Sequence, residues 1–167
     1  MNVRSATPDD CAAISRIARE TFALACPADT PEEELQRYID EHLTPACFHH
    51  LLGDASQALR VVEVAGQVCG FSVVDYAPER LGVALADDIA ELKRCYVAAQ
   101  QHGSGVAQYL MGATLEGTAL PLRLTVNDQN ARAIAFYQRN GFVVVGETRF
   151  QCGADIHRDL VMVRLCK

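Results

Sequence analysis

The feature that most constrains this fold is a strand followed at once by a glycine-rich turn and a helix. Residues 88–97 have the pattern of a strand, and residues 102–105 then read His-Gly-Ser-Gly before an amphipathic stretch that carries Val106 and Leu110. Gly103 and Gly105 lack a Cβ, so amide N–H groups that a new helix leaves unsatisfied can face outward together. Amides grouped at the positive end of a helix bind anions. The sequence therefore predicts a site for the pyrophosphate of a phosphorylated cofactor.

Two better-known phosphate motifs are absent from this turn. The Gly-x-x-x-x-Gly-Lys-Ser/Thr pattern of a P-loop does not occur. The dinucleotide fingerprint fails because Gln108 stands where its third glycine belongs. On spacing alone, an ordinary glycine-rich connection explains the turn equally well.

Length and composition favour one folded domain. The chain has 167 residues, of which 50% are hydrophobic, so we expect a single domain over residues 1–167. No apolar run reaches the roughly 18 residues of a membrane span, and the first residues lack the apolar region of a signal peptide. These patterns predict a cytoplasmic protein.

Cysteines, net charge and histidines exclude several classes of partner. The seven cysteines form no Cys-x-x-Cys pair, and several, such as Cys69, Cys95 and Cys166, have apolar neighbours, which is typical of reduced cytoplasmic thiols. The net charge of −6 argues against a nucleic-acid partner and is compatible with a cationic substrate. His49 and His50 are adjacent, so their side chains diverge, and we expect them in a solvent-facing loop without a metal.

The predicted elements form a mixed α+β order. Strands are expected over residues 3–6, 59–64, 67–75, 88–97, 122–126, 142–145 and 160–165. Ala65-Gly66 is a hairpin signal between the second and third strands. Helices are expected after Thr7-Pro8, after a capping box at residues 30–33, after the glycine turn to about residue 115, and over residues 131–139. The break after the third helix is assigned to residues 117–121. The order favours hairpins on one side of a sheet and strand–helix–strand crossovers on the other.

A second motif lies thirty residues beyond the glycine turn. Residues 127–142 read Asn-Asp-Gln-Asn-Ala-Arg-Ala-Ile-Ala-Phe-Tyr-Gln-Arg-Asn-Gly-Phe. Together with residues 91–97 and 102–107, this segment resembles the GCN5-related N-acetyltransferase (GNAT) superfamily. His102 stands where that family carries Gln or Arg, which shortens the reach of the side chain. The resemblance implies a mixed, mostly antiparallel sheet of six to seven strands, splayed between strands 4 and 5 and flanked by about four helices.

The resemblance also assigns roles to residues. It implies acetyl-CoA as cosubstrate, with the end of strand 4 and Asn130 on the pantetheine arm and the glycine turn on the pyrophosphate. The residues so assigned to the cofactor are Cys95, Tyr96, Val97, His102, Gly103, Ser104, Gly105, Val106, Ala107, Asn130 and Tyr137. It further implies direct transfer to an amine in a ternary complex, although the sequence leaves open an acetyl-enzyme on Cys95. Homodimers are common in the superfamily, but nothing in the residues requires one.

Tyr137 is the candidate catalytic acid. A phenol with a pKa of about 10 can protonate a departing thiolate. The alternative is a core residue, since Ile134, Phe136 and Tyr137 cluster on one helix. Adjacent helical residues point about 100° apart, so Phe136 can enter the core while Tyr137 reaches a cleft.

Glu91 is the candidate base, because an alkylammonium must lose a proton before it attacks. Simple alternation places Glu91, Lys93 and Cys95 on one face of the strand, opposite Leu92, Arg94 and Tyr96. The alternative is that Glu91 only forms an ion pair with a neighbouring Lys or Arg.

The acceptor is indicated by looser features. Residues 20–22 and a tail with Phe150, Gly153 and Asp159-Leu-Val-Met look like those of bacterial Pai-type spermidine/spermine N-acetyltransferases. That resemblance implies a polyamine substrate. The alternatives are a protein N-terminus or lysine, an amino acid, an antibiotic amine, or a CoA-sensing module without efficient turnover.

Overall fold

Seven strands form one mixed sheet in a computed structural model that describes residues 1–118 and 120–165. Cys166 therefore lies outside the described residues. The strands are β1 Asn2–Ser5, β2 Gln57–Val64, β3 Gln67–Asp75, β4 Ala90–Val97, β5 Leu122–Asn127, β6 Val143–Cys152 and β7 Asp155–Arg164. The helices are α1 Cys11–Ala25, α2 Glu32–His42, α3 Pro45–Leu52, α4 Val106–Thr118 and α5 Ala131–Arg139. Short 3-10 turns at Pro8–Asp10 and Ala99–Gln101 precede α1 and the glycine turn.

The sheet is antiparallel except between its two central strands. The strand order is β1-β2-β3-β4-β5-β7-β6, and only β4 and β5 run parallel. These two pair at Ala90 with Leu122 and at Glu91 with Arg123, and beyond that point they separate. The predicted α+β class, strand number and splay are confirmed, with five helices in place of about four.

Apolar residues on alternate positions bury both faces of the sheet. Val61 packs on the face covered by α1 and α3, while its neighbour Val62 packs on the face covered by α4. Met111 of α4 joins Val126 and Met162 of the central strands in a further cluster beside α5. Because the period of a strand is two residues, each strand supplies both layers. None of the helices among the described residues is long and apolar enough to cross a membrane.

Local signals place the hairpin and the last helix correctly. Ala65 and Gly66 have φ angles of 50° and 78°, which is the left-handed pair that a two-residue hairpin turn requires. The Asn130 side chain accepts a hydrogen bond from the Ala133 amide at the start of α5, and Gly141 ends the helix with a φ of 88°.

Three predicted helix boundaries were wrong. His49 and His50 do not lie in a loop but on α3, where both are exposed; Thr44 caps that helix by accepting from the Cys47 amide. Thr30 makes no capping bond to α2, since its hydroxyl lies 3.3 Å from the Nε2 atom of His157. The α4 helix continues through Thr118, so residues 117–118 do not break it. Both closing strands are also longer than expected, at ten residues each.

A β-bulge corrects the predicted faces of β4. Val73 pairs with Arg94 and Val74 with Leu92, so no residue of β3 lies opposite Lys93 in the backbone register. The extra residue brings Leu92 to the same side as Cys95, and both pack in one apolar cluster. Strict alternation had placed these two side chains on opposite faces.

Candidate active site

A cavity of about 760 Å³ opens where β4 and β5 separate. Its walls come from the end of α1, from α2, β4 and β5, from the turn before α4, from α5, and from β6 and β7. A cavity of this size matches the volume of a typical ligand pocket. The splay of the sheet therefore creates a concave site large enough for a ligand.

The end of β4 turns unpaired amides toward this gap. The Ala98 amide donates to the Cys69 carbonyl on β3 at 2.8 Å. Successive amides of a strand point to opposite sides, so the Val97 amide points away from β3 and toward the splayed side. The backbone of β4 thus presents a free edge to the cavity at Val97. That Cys95, Tyr96 and Val97 bind the cofactor stays a prediction.

The glycine turn leaves several amides without a backbone acceptor. Gly103 and Gly105 have φ angles of 81° and 86°, and added Cβ atoms there would meet nothing within 4 Å. Among the described residues, the amides of Gly103, Gly105, Val106 and Ala107 donate to no backbone carbonyl, and Gly103, Gly105 and Ala107 line the cavity. The amides of His102 and Ser104 differ, because they donate to the Ala99 and Gln101 carbonyls. Of the six amides over residues 102–107, four therefore have no backbone acceptor and are free to bind an anion. That the turn binds the pyrophosphate stays a prediction.

The His102 side chain is engaged within the protein. Its Nε2 atom lies 3.1 Å from the Val97 carbonyl, and its Nδ1 atom lies 3.1 Å from Nη1 of Arg132. An arginine can only donate, so Nδ1 accepts a hydrogen bond from Arg132. The Nε2 atom then carries the hydrogen and donates it to the Val97 carbonyl in a hydrogen bond. This network brings the Arg132 guanidinium to the glycine turn. Arg132 was not among the predicted site residues, although its place in the first turn of α5 is a usable signal.

Asn130 and Tyr137 both lie on the α5 wall of the cavity. The side-chain oxygen of Asn130 caps α5 by accepting from the Ala133 amide. The NH2 group of the same side chain is therefore free for a ligand. The Tyr137 ring packs near the rings of Phe136 and Phe142, at centroid distances of 5.6 and 5.9 Å. Tyr137 is therefore half-buried by core residues and also reaches the cleft, which combines the two interpretations of its sequence pattern.

Burial keeps the side chains of Tyr137 and Cys95 protonated near neutral pH. It raises the pKa of Tyr137 well above its ordinary value, with further contributions from Cys95 and Tyr96. It also raises the pKa of Cys95 to about 12, so this thiol stays protonated near neutral pH. The phenol therefore keeps a proton that it can donate, and the raised pKa also makes it a weaker acid. The protonated thiol is a poor nucleophile.

Glu91 forms an ion pair with Arg123. Its Oε2 atom lies 2.7 Å from Nη2 and 2.9 Å from Nε of the guanidinium. Arg123 is 1% exposed and also donates to the Ala86 and Glu79 carbonyls. The geometry therefore matches the ion-pair interpretation of Glu91, and its role as a base stays a prediction.

The far end of the cavity carries residues that were not among the predicted site residues, although Phe22, Phe150 and Asp159 belong to the segments with Pai-type features. Phe22, Tyr38 and Phe150 form a continuous aromatic wall, with ring centroids 4.5 and 5.5 Å apart. Asp159 of β7 lies in the same cavity and is 7% exposed. These residues come from four separate elements, so no local pattern joins them. No group of three or more metal-ligating side chains occurs among the residues that the structure describes.

Comparison with known proteins agrees with the fold. The chain matches the acetyltransferase (GNAT) domain family over residues 55–144. It is 32% identical over 159 residues to an uncharacterized N-acetyltransferase of Mycobacterium tuberculosis, covering 93% of this chain and 97% of that one.

Solved structures share the architecture. The PaiA N-acetyltransferase of Thermoplasma acidophilum, crystallised with coenzyme A, superposes with a TM-score of 0.75 at 18% identity, covering 98% of each chain. Ard1 of Thermoplasma volcanium gives a TM-score of 0.72 at 25% identity, covering 99% of this chain and 97% of that one.

The splayed sheet, its cleft and these matches define the protein as an acetyltransferase. The chain belongs to the GNAT family.

Proposed function

We propose that this protein is an acetyl-CoA-dependent N-acetyltransferase that moves the acetyl group directly to a primary amine in a ternary complex. The observation that carries the proposal is the free edge of β4, where the Val97 amide faces the splayed gap beside the four unpaired amides of the glycine turn. Under this proposal, residues 1–167 act as one N-acetyltransferase domain. The free thiols among the described residues are compatible with a cytoplasmic location.

The residues present fit coenzyme A by charge and by hydrogen-bonding capacity. Unpaired amides at Gly103, Gly105, Val106 and Ala107 suit pyrophosphate oxygens, and the guanidinium of Arg132 adds positive charge at the same end. The edge of β4 suits the amide groups of the pantetheine arm, which would add to the sheet as an extra strand. The NH2 group of Asn130 suits a pantetheine carbonyl.

The chemistry follows from two groups of this chain. The Val97 amide is placed to stabilise the negative charge that develops on the thioester oxygen as the amine attacks. The Tyr137 phenol stays protonated at neutral pH and would give its proton to the departing sulfur. Glu91 would act on the amine only through its second carboxylate oxygen or through water, since Oε2 is held by Arg123.

A polyamine such as spermidine or spermine is the acceptor we favour. Two features support it: the Pai-type residues of the chain, and the carboxylate of Asp159 at the far end of the cavity. A polyamine carries several positive charges, and a carboxylate in a partly enclosed site binds an ammonium strongly.

Thiol release from acetyl-CoA tests the proposal. The protein would be mixed with acetyl-CoA and with spermidine, spermine, lysine, an alanine-terminated peptide or an amine-bearing antibiotic. Faster release with the polyamines supports the full proposal, and faster release with another amine keeps the transferase but changes the acceptor. Calorimetric binding of acetyl-CoA without release for any amine would instead indicate a CoA-sensing module. No binding at all would refute the cofactor site.

A further inference from the structure

Asp159 is a buried carboxylate in the cavity that the proposed acid and oxyanion groups leave unused. Its residue is 7% exposed, and within residues 1–118 and 120–165 it forms no salt bridge to a lysine or arginine. The other acidic residue of the cavity, Glu91, is paired with Arg123. Asp75 at the adjacent edge of the sheet is likewise paired with Lys93, at 3.0 Å. Among the residues that the structure describes, Asp159 is thus the cavity carboxylate that has no lysine or arginine partner.

The surroundings of Asp159 bring the pKa of its carboxyl closer to neutral pH. Burial raises its pKa to about 6, while the His157 ring, Asn127 and Thr125 lower it and Asp128 raises it. His157 itself is held elsewhere, since its Nε2 atom lies 2.7 Å from Asp155 and 3.3 Å from the Thr30 hydroxyl. The Cys26 thiol after α1 is also close enough to feel the charge of Asp159, and its own pKa is raised to about 12 by burial.

An aromatic wall completes the far end of the cavity. Phe22 and Tyr38 stack with an interplanar angle of 10°, and Phe150 meets Tyr38 edge to face. The wall and Asp159 line the same cavity. Aromatic faces attract cations, and a desolvated carboxylate attracts them more strongly. The combination selects a cation on an apolar chain and disfavours an anionic acceptor.

We propose that Asp159 and the aromatic wall bind the ammonium group of the acceptor. We further propose that Asp159, in place of the Arg123-bound Glu91, takes the proton whose loss activates the amine. This inference rests on the proposed N-acetyltransferase function and narrows its acceptor to a primary alkylammonium. It gives the cavity a cofactor end at the glycine turn and an acceptor end at β7.

Asp159 and Tyr137 together account for every proton transfer in the reaction. The ammonium gives one proton to the Asp159 carboxylate and becomes a neutral amine. That amine attacks the thioester carbonyl, so that the C–N bond forms and the C–S bond breaks. Tyr137 gives its proton to the sulfur and regains one from the nitrogen as the amide forms. Asp159 then releases its proton to solvent, and the products are the N-acetyl amine and the free thiol of coenzyme A.

Substitution of Asp159 tests the assignment with spermidine as the probe. Asp159→Asn keeps the shape of the side chain and removes its charge, and we expect kcat/KM for spermidine to fall about 100-fold while the KM for acetyl-CoA is unchanged. The matched control is Asp40→Asn, which removes an exposed carboxylate of α2 that neither lines the cavity nor affects the pKa of Asp159. The control should retain wild-type kinetics.

The pH profile of the wild type provides a second measurement that does not depend on a variant. We expect kcat/KM for spermidine to rise with pH through a midpoint near 6, the pKa of the Asp159 carboxyl. Asp159→Asn should lose this rise. A profile that is flat from about pH 5 to 8 in the wild type overturns the inference even where the variant does not fold.

The remaining outcomes separate this inference from the proposed function. If wild type acetylates spermidine and Asp159→Asn does so equally well, Asp159 has no such role and the transferase stands. If wild type binds acetyl-CoA but acetylates no amine, the proposed function fails and this inference fails with it. A loss of acetyl-CoA binding in Asp159→Asn would show a general structural defect and would also overturn the assignment.

Discussion

Arg123 and Glu91 face each other at the last paired position of β4 and β5. The Nη2–Oε2 distance is 2.7 Å, and the Arg123 side chain is 1% exposed. The same guanidinium donates to the Ala86 and Glu79 carbonyls and lies 3.7 Å from Asp87. The buried Arg123 guanidinium therefore connects residues 79–87, which precede β4, to the position where the sheet begins to splay. The shape of the cleft depends on this contact.

Removing Arg123 should destabilise the whole fold. In Arg123→Met, the Glu91 carboxylate stays 13% exposed without its partner, and the two carbonyls lose their donor. Breaking a buried ion pair in this way costs about 3–5 kcal/mol. Urea unfolding followed by circular dichroism would measure the loss.

Arg80→Met is the matched control for this experiment. Arg80 binds Asp88 at 2.6 Å in the same segment, but both side chains are at least 70% exposed. Exposed pairs contribute about 0–1 kcal/mol, so the control should change little. Equal losses in the two variants would contradict the structural role of Arg123.

Tyr137→Phe should separate catalysis from cofactor binding. The substitution keeps the ring packing against Phe142 and removes only the phenolic hydroxyl. We expect kcat to fall about 100-fold or more, because a positioned general acid contributes that much, while the affinity for acetyl-CoA is retained. Steady-state kinetics and calorimetry would measure the two quantities. Tyr76→Phe, an exposed tyrosine outside the cavity, serves as control, and unchanged turnover in Tyr137→Phe would remove the assigned role.

Features that depend on a few adjacent residues were predictable from the sequence. The bounds of α5 and the β2–β3 hairpin turn follow from Asn130, Gly141 and the Ala65-Gly66 pair, because capping and left-handed turns are local. The α3 helix also had a local signal that was overlooked, since Thr44 before Pro45 indicates the start of a helix. That omission placed His49 and His50 in a loop.

Features that depend on register or on distant elements were not predictable in this way. The bulge at Lys93 leaves no mark on the alternation of β4, yet it changes which side chains share a face. Thr30 fits a capping box by spacing, but its hydroxyl instead meets His157 from β7, 127 positions away. The aromatic wall requires α1, α2 and β6 to meet, which only the assembled sheet brings about.

The two glycines of the turn should be sensitive to substitution for conformational reasons. Gly105→Ala places a Cβ at a φ of 86°, which costs roughly 1–2 kcal/mol in an L residue even though the surrounding space is open. The strain would move the amides of the turn and weaken acetyl-CoA binding, which calorimetry would detect. The matched control is Gly112→Ala within α4, where an added Cβ meets nothing within 4 Å and helix propensity predicts a gain of up to about 1 kcal/mol. Equal binding by the two variants would argue against the turn as the anion site.

The Arg4–Asp10 pair should make stability depend on pH in the acid range. Arg4 binds the Asp10 carboxylate at 2.7 and 2.9 Å, and this contact lowers the pKa of Asp10 from 3.8 to about 2. A lowered pKa means that the stabilisation is fully present above the unfolded-state pKa near 3.8 and is lost as the pH falls toward 2. Its size at neutral pH is about 2 kcal/mol.

Asp10→Asn checks that dependence by difference. The free energy of urea unfolding should be lower than wild type at pH 7, and the gap should narrow steadily below about pH 4 as the wild-type carboxylate is protonated. Asp9→Asn removes an exposed carboxylate from the same turn and should leave the wild-type profile in place. A constant gap between wild type and Asp10→Asn from neutral to acid pH would show that Asp10 acts through its bonds to Thr7 and not through its charge.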